Sequence, residues 1–196
     1  MDRDLFFDKL ATALTGEGFH ASVATMGKQD SEISLSNRLL VSPLFQSRFD
    51  ADGVQQLLDK LSHSFRLSCF KYNNGFPFVI SALVADELNL PDLKSLAANF
   101  GEVVKSLTKY AAKAPLLGPQ GHTNGFLMLV YFDRSLPEKE ARSLQNQVSD
   151  TSIGKHFSRR GWIVDVPAKC VLAHKGPPWT GSAGPDARKL SEQLFG

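Results

Sequence analysis

Three aspartates stand at or near the ends of predicted strands, a position where carboxylates could meet and bind Mg²⁺ for phosphoryl chemistry. Asp86 and Asp133 each follow an apolar run directly, and Asp165 stands within a third β-rich run. Their convergence depends on the direction and order of the strands, which the sequence leaves open. Aspartate is also common where a strand passes into a turn or a helix cap. We therefore predict neither a metal site nor a cofactor.

A basic and aromatic segment at 155–162 is the best candidate for nucleic-acid binding, because basic groups interleaved with aromatic rings suit phosphate contacts and base stacking. The alternative is a solvated basic loop whose rings turn into the core. The net charge of +2 is well below that of a dedicated nucleic-acid binder. The candidate residues are Lys155, His156, Arg159, Arg160 and Trp162.

No recognisable catalytic motif accompanies these residues. The Gly-rich segment 118–125 precedes a strand and lacks the Gly-Lys-Ser/Thr ending of a phosphate-binding loop. The five histidines show no pair at metal-ligand spacing, and no serine stands in a Gly-X-Ser-X-Gly setting. An enzyme with an unrecognised site stays open, because many active sites are assembled from residues distant in sequence.

The C-terminal tail carries candidate residues for binding a protein partner. A Gly/Pro-rich linker from 176 contains Trp179, and a short amphipathic segment follows at 187–195. Its apolar side chains either dock on their own domain or insert into a partner's groove. The candidate partner-binding residues are Trp179, Leu190, Leu194 and Phe195.

Hydrophobic periodicity and turn residues predict the elements that position these candidates. Helices are expected over 4–15, 54–61, 90–112, 137–148 (capped by Ser135) and 187–195. Strands are expected over 19–24, 32–41, 66–72, 76–83, 126–132 and 161–173, the last bent or broken at Pro167. The first two strands are expected to pair, and Asn73-Asn74-Gly75 predicts a tight hairpin between the next two. Residues 149–160 are expected to be a polar loop.

This order predicts an α+β protein: a twisted, mainly antiparallel sheet packed against helices, with a C-terminal βαβ-like extension. The expected organisation is a core over 1–113, a Gly/Pro-rich connection over 114–125, a strand-helix-strand extension over 126–175 packed on the core, and a linker with a short helix over 176–196. The sequence shows no secretory signal and no apolar run of about 20 residues. We therefore expect a soluble, cytoplasmic protein without membrane contact.

Residues 1–113 resemble type III secretion chaperones and YbjN-like proteins. The resemblance rests on the order of elements, in which the strand–Asn73-Asn74-Gly75–strand unit leads into a long helix starting near Asp92. It implies a non-enzymatic, often dimeric, protein-binding module. Our leading hypothesis is therefore a chaperone-like module that binds a protein partner, with a homodimer as a further expectation. A nucleic-acid-associated factor using 155–162 and an enzyme with an unrecognised site are the alternatives.

Overall fold

The computed structural model describes residues 2–23, 60–61, 64–73, 76–111, 123–151, 157–174 and 185–196. Four helices in these ranges are α1 (Arg3–Gly16), α2 (Leu90–Ala111), α3 (Glu138–Val148) and α4 (Ala187–Phe195). Six strands are β1 (His20–Val23), β2 (Leu67–Asn73), β3 (Phe76–Val84), β4 (Thr123–Tyr131), β5 (Phe157–Asp165) and β6 (Cys170–Leu172). They form one sheet.

The spatial order of the strands is the same as their order in the sequence, from β1 to β6. The pairs β1–β2, β2–β3 and β5–β6 are antiparallel, whereas β3–β4 and β4–β5 are parallel. A parallel pair needs a crossover connection, and α2 and α3 lie in the two crossovers. The predicted α+β class is therefore confirmed, and the 126–175 segment adds its strands directly to the edge of β3.

The predicted hairpin between β2 and β3 is confirmed, with Asn73 opposite Phe76. Pairing of β3 with β4 begins one residue after Pro77, at Phe78 opposite Asn124. Pro77, which has no N–H to donate, therefore stands outside the β3–β4 ladder, as expected.

Three expectations about element boundaries are wrong. β4 begins at Thr123, inside the predicted connection, and β5 begins at Phe157, inside the predicted polar loop. Both early starts follow from pairing, because Thr123 lies opposite Phe157 at the beginning of a nine-residue parallel ladder. Ser135 does not cap α3: the cap position is Pro137, and the Ser135 hydroxyl donates to Asp165.

The expected strand 32–41 and most of the expected helix 54–61 lie outside the described residues. Within the described part of the chain, β1 pairs with β2.

Each face of the sheet carries its own apolar cluster. Helices α2 and α3 pack on one face and helices α1 and α4 on the other. All nine residues of β4 are buried, which is typical of a central parallel strand covered on both sides. Successive β4 side chains alternate between the faces. Leu127, Leu129 and Tyr131 face α2 and α3; Phe126, Met128 and Val130 face α1 and α4.

Gly125 allows α2 to approach β4 closely. A Cβ atom at this position would stand 2.7 Å from Val104 Cγ2 and 2.9 Å from Phe100 Cε1. We predict that Gly125→Ala lowers the free energy of unfolding by about 1–3 kcal/mol, the usual cost of overpacking a core. Urea unfolding measures this change.

Gly16→Ala is the matched control, because within the described part of the chain no atom outside the local helix backbone lies within 4 Å of a Cβ at that position. Gly16 is the last residue of α1, so alanine is expected to leave stability unchanged or raise it slightly. Equal stability of the two variants would contradict the close packing of α2 on β4.

Candidate functional site

The three strand-end aspartates lie at the carboxyl ends of β3, β4 and β5. These strands are parallel, so their carboxyl ends form one border of the sheet, here called its carboxyl edge. The Asp86 carboxylate accepts hydrogen bonds from the backbone N–H of Phe132 at 3.0 and 3.1 Å and of Asp133 at 2.9 Å. Asp86 therefore fixes the turn that leaves β4.

Asp165 does the same for the neighbouring loops. Its Oδ2 accepts from the Ser135 hydroxyl and the Leu136 N–H, both at 2.8 Å, and its Oδ1 accepts from the Ala168 N–H at 2.9 Å. Asp165 is 1% exposed, so these donors replace the water that a buried carboxylate loses. The carboxylate joins the loop before α3 to the turn between β5 and β6.

Asp133 is the exposed member of the three, and Arg3 of α1 lies near both Asp133 and Asp86. Arg3 Nη2 lies 2.7 Å from Asp133 Oδ2 and 3.8 Å from Asp86 Oδ2. In the described part of the chain no three His, Cys, Asp or Glu side chains are placed to share a metal ion. The aspartates thus converge on one edge, but the bonds of Asp86 and Asp165 hold loops in place.

Arg159, a candidate for phosphate contact, binds the backbone of two helices instead. Its Nε donates to the Val148 carbonyl at 2.7 Å, and its Nη1 donates to the Ala97 carbonyl in α2. The guanidinium lies where a Cβ of Gly101 would be, with Nη1 2.5 Å from that position. Burial lowers the pKa of Arg159, and the charge of Asp150 opposes that shift. Arg159 therefore joins α2, α3 and β5.

The described candidates Arg160 and Trp162 do not share a face of the sheet with Arg159. Successive residues of a strand point to opposite faces. Arg160 and Trp162 accordingly lie on the α1/α4 face, where they are 8% and 4% exposed. Lys155 and His156 lie outside the described residues.

The C-terminal candidates are also largely internal. Leu190 and Leu194 are fully buried in the cluster that α1 contributes to, and the Phe195 ring lies 6.3 Å from the Phe6 ring. Lys9 Nζ donates to the Leu194 carbonyl at 2.7 Å. The sequence left open whether this segment docks on its own domain or inserts into a partner's groove, and α4 docks on its own domain. Trp179 lies outside the described residues.

A groove that sequence analysis missed lies between the start of α2 and α3, with a volume of about 490 Å³. Leu90 is 36% exposed on its rim, and Leu93 and Leu144 form buried parts of its wall. Leu88 completes the apolar lining. The available signal in the sequence was the closely spaced leucines around the start of α2, namely Leu88, Leu90 and Leu93.

The charged groups of this groove gather around Tyr131. Arg134 Cζ lies 5.3 Å from the Tyr131 ring centroid, and Arg134 Nη1 lies 3.5 Å from Glu140 Oε1. Burial raises the pKa of Tyr131, although Arg134 opposes the shift, so the hydroxyl is neutral at physiological pH. Lys139, also in the lining, makes no ion pair with any described residue.

Comparison with protein-family models gives no match, and comparisons with curated proteins and with solved structures give none either. Among the described helices, none combines the length and the apolar character needed to cross a bilayer.

Asp165→Asn is predicted to lower the free energy of unfolding by about 1–3 kcal/mol. The amide nitrogen would replace one carboxylate oxygen and face an N–H donor, which leaves a buried donor without an acceptor. Asp133→Asn is the control, because the Asp133 side chain is 66% exposed and water can bond to the new amide. Urea unfolding measures the stability of both variants. The loop-holding role of Asp165 is refuted if both variants unfold at the same urea concentration.

Arg159→Ala is predicted to lower the free energy of unfolding by about 2 kcal/mol or more, because it removes two charge-assisted hydrogen bonds to helix carbonyls. Arg142→Ala is the control: Arg142 is half exposed and pairs with Glu138 on the surface of α3, so only a small change is expected. A surface role for Arg159, as the nucleic-acid hypothesis requires, would instead leave both variants equally stable.

Proposed function

We propose that the protein is an interaction module that binds a segment of another protein in the groove between α2 and α3. The observation that carries this proposal is the apolar lining of the groove around the exposed side chain of Leu90. This function is of the class that the resemblance to secretion chaperones implies.

The groove has dimensions suited to side chains of a partner. Its volume of about 490 Å³ is in the range of binding pockets, and its walls are two helices with leucines facing inward. Such a surface accepts an amphipathic segment that inserts two or three apolar residues at helical spacing. Burial of Leu90 on binding would remove an exposed apolar side chain from water, which favours association.

The charges on the rim favour an acidic group on the partner. Arg134 and Glu140 pair with each other, whereas Lys139 has no described ionic partner. A carboxylate flanking the apolar residues of the bound segment would lie near the Lys139 ammonium group. Rim charges of this kind contribute more to orientation and association rate than to affinity.

The alternatives have less support. Nucleic-acid binding by 155–162 needs accessible basic groups, whereas Arg159 is bound to helix carbonyls and Arg160 is buried. Nucleophilic catalysis needs a nucleophile beside a base. Among the described residues that line the groove, Ser143 has no histidine or cysteine beside it, and the carboxylate of Glu140 pairs with Arg134.

Leu90→Asp is predicted to abolish partner binding without unfolding the protein. Aspartate is favourable in the first turn of a helix, so α2 should form normally while the groove gains a charge. Affinity capture of the tagged protein from nuclease-treated lysate of its source cell, with quantitative mass spectrometry, should show a stoichiometric partner that Leu90→Asp loses.

Leu5→Asp is the matched control. Leu5 is another exposed leucine in a first helical turn, at 63% exposure, but it lies on α1, away from the groove. The variant should retain the partner. A partner that binds Leu90→Asp as well as the wild type would sink the proposal, as would a partner captured only from a parallel lysate without nuclease. Light scattering of the wild type alone tests whether a second copy fills the groove.

A further inference from the structure

Arg160 is a buried cation whose charge the described residues do not balance. It is 8% exposed on the α1/α4 face, where its Cζ lies 5.6 Å from the centroid of the Phe126 ring. Its pKa is lowered by burial, and no carboxylate of the described residues opposes the shift. Arg159, by contrast, has the charge of Asp150 nearby. Burying an arginine without a counter-charge is costly, so such groups are normally paired.

Two donors of Arg160 that have no hydrogen-bond partner among the described residues lie on one edge of its guanidinium. Its Nε and Nη2 are buried and have no hydrogen-bond partner among the residues that the structure describes. Arg142 shows what this edge is suited to: its Nε and Nη2 both donate to Glu138 Oε1, at 2.9 and 2.6 Å. The same edge can donate two parallel bonds to two oxygens of a carboxylate or phosphate.

Two further buried polar atoms without a described partner stand near Arg160. Trp162 points to the same face two residues along β5, and its ring lies 5.6 Å from that of Phe126. Its Nε1, which can act only as a donor, is unbonded, as is Nδ1 of His174. His174 is close enough for the charge of Arg160 to lower its pKa. The Arg160 and Trp162 donors have no acceptor among the described residues, and an anionic acceptor would satisfy them best.

We propose that Arg160, with Trp162 beside it on β5, forms a binding site for a small oxyanion, a carboxylate or a phosphate group, held by the Nε and Nη2 atoms of Arg160. The site is on the opposite face of the sheet from the α2–α3 groove, so it does not depend on the function proposed above. A bound oxyanion would supply the missing counter-charge and accept hydrogen bonds that buried donors otherwise lack.

Thermal unfolding of the full chain, followed by circular dichroism, tests this site with inorganic phosphate and with sodium acetate, each against sodium chloride at equal ionic strength. A ligand that binds the folded state raises the unfolding temperature in a saturable manner. We expect this rise in the wild type and at least about a tenfold loss of affinity in Arg160→Gln, because a bidentate charge-assisted contact is removed. Arg142→Gln, in which an exposed arginine is replaced, should bind as the wild type does.

A second measurement covers the case in which Arg160→Gln does not fold. The chain has two tryptophans, so Trp179→Phe leaves Trp162 as the single indole. In the NMR spectrum of this variant, the indole N–H resonance of Trp162 should shift saturably as phosphate or acetate is added.

A response to phosphate alone assigns the site to a phosphate group, a response to acetate alone assigns it to a carboxylate, and a response to both supports a general oxyanion site. The proposal is overturned if neither anion gives a saturable effect beyond chloride, or if Arg160→Gln binds as tightly as the wild type.

Discussion

The parallel pairing of β3, β4 and β5 determines where the helices pack on the sheet. Parallel neighbours need long crossovers, and the two that occur here place α2 and α3 on the same face of the sheet. The opposite face is equally apolar and is covered by α1 and α4 near the two ends of the chain. This explains why Leu190 and Leu194 are core residues rather than free surface. It also explains the groove, which forms where two side-by-side crossover helices meet beyond the ends of β3 and β4.

The edge at which these strands end is organised by backbone hydrogen bonding. Two carboxylates accept N–H groups from loops that would otherwise leave buried donors unpaired, and Arg3 brings the start of α1 to the same place. A fixed edge matters for the groove, because Tyr131, the last residue of β4, and Arg134, in the loop that follows, both line the groove. The aspartates therefore support the proposed interaction surface indirectly, by fixing the loop that carries part of it.

Local signals in the sequence were sufficient for most of the helices and for the β2–β3 hairpin, because apolar periodicity and Asn-Gly turn chemistry act over short distances. The sequence did not predict where β4 and β5 begin. Polar residues such as Asn124 and Ser158 lie in strands because β4 pairs with β5 at these positions, and their side chains form a hydrogen bond of 3.0 Å. The basic segment was misleading for a similar reason. Alternation along β5 sends Arg159 and Arg160 to opposite faces, and composition alone carries no information about their partners. The groove depends on the crossover geometry, so the leucines around the start of α2 did not suffice to locate it.

The contact between Arg159 and Gly101 limits how the sequence can vary. Any side chain at 101 would occupy the space of the guanidinium, and displacing the guanidinium would leave the carbonyls of Ala97 and Val148 without its hydrogen bonds. Replacing either residue alone is therefore expected to cost these hydrogen bonds. In related sequences the glycine of the long helix and the arginine of the fifth strand should be retained together or replaced together, which makes them a covarying pair that marks this arrangement of helices.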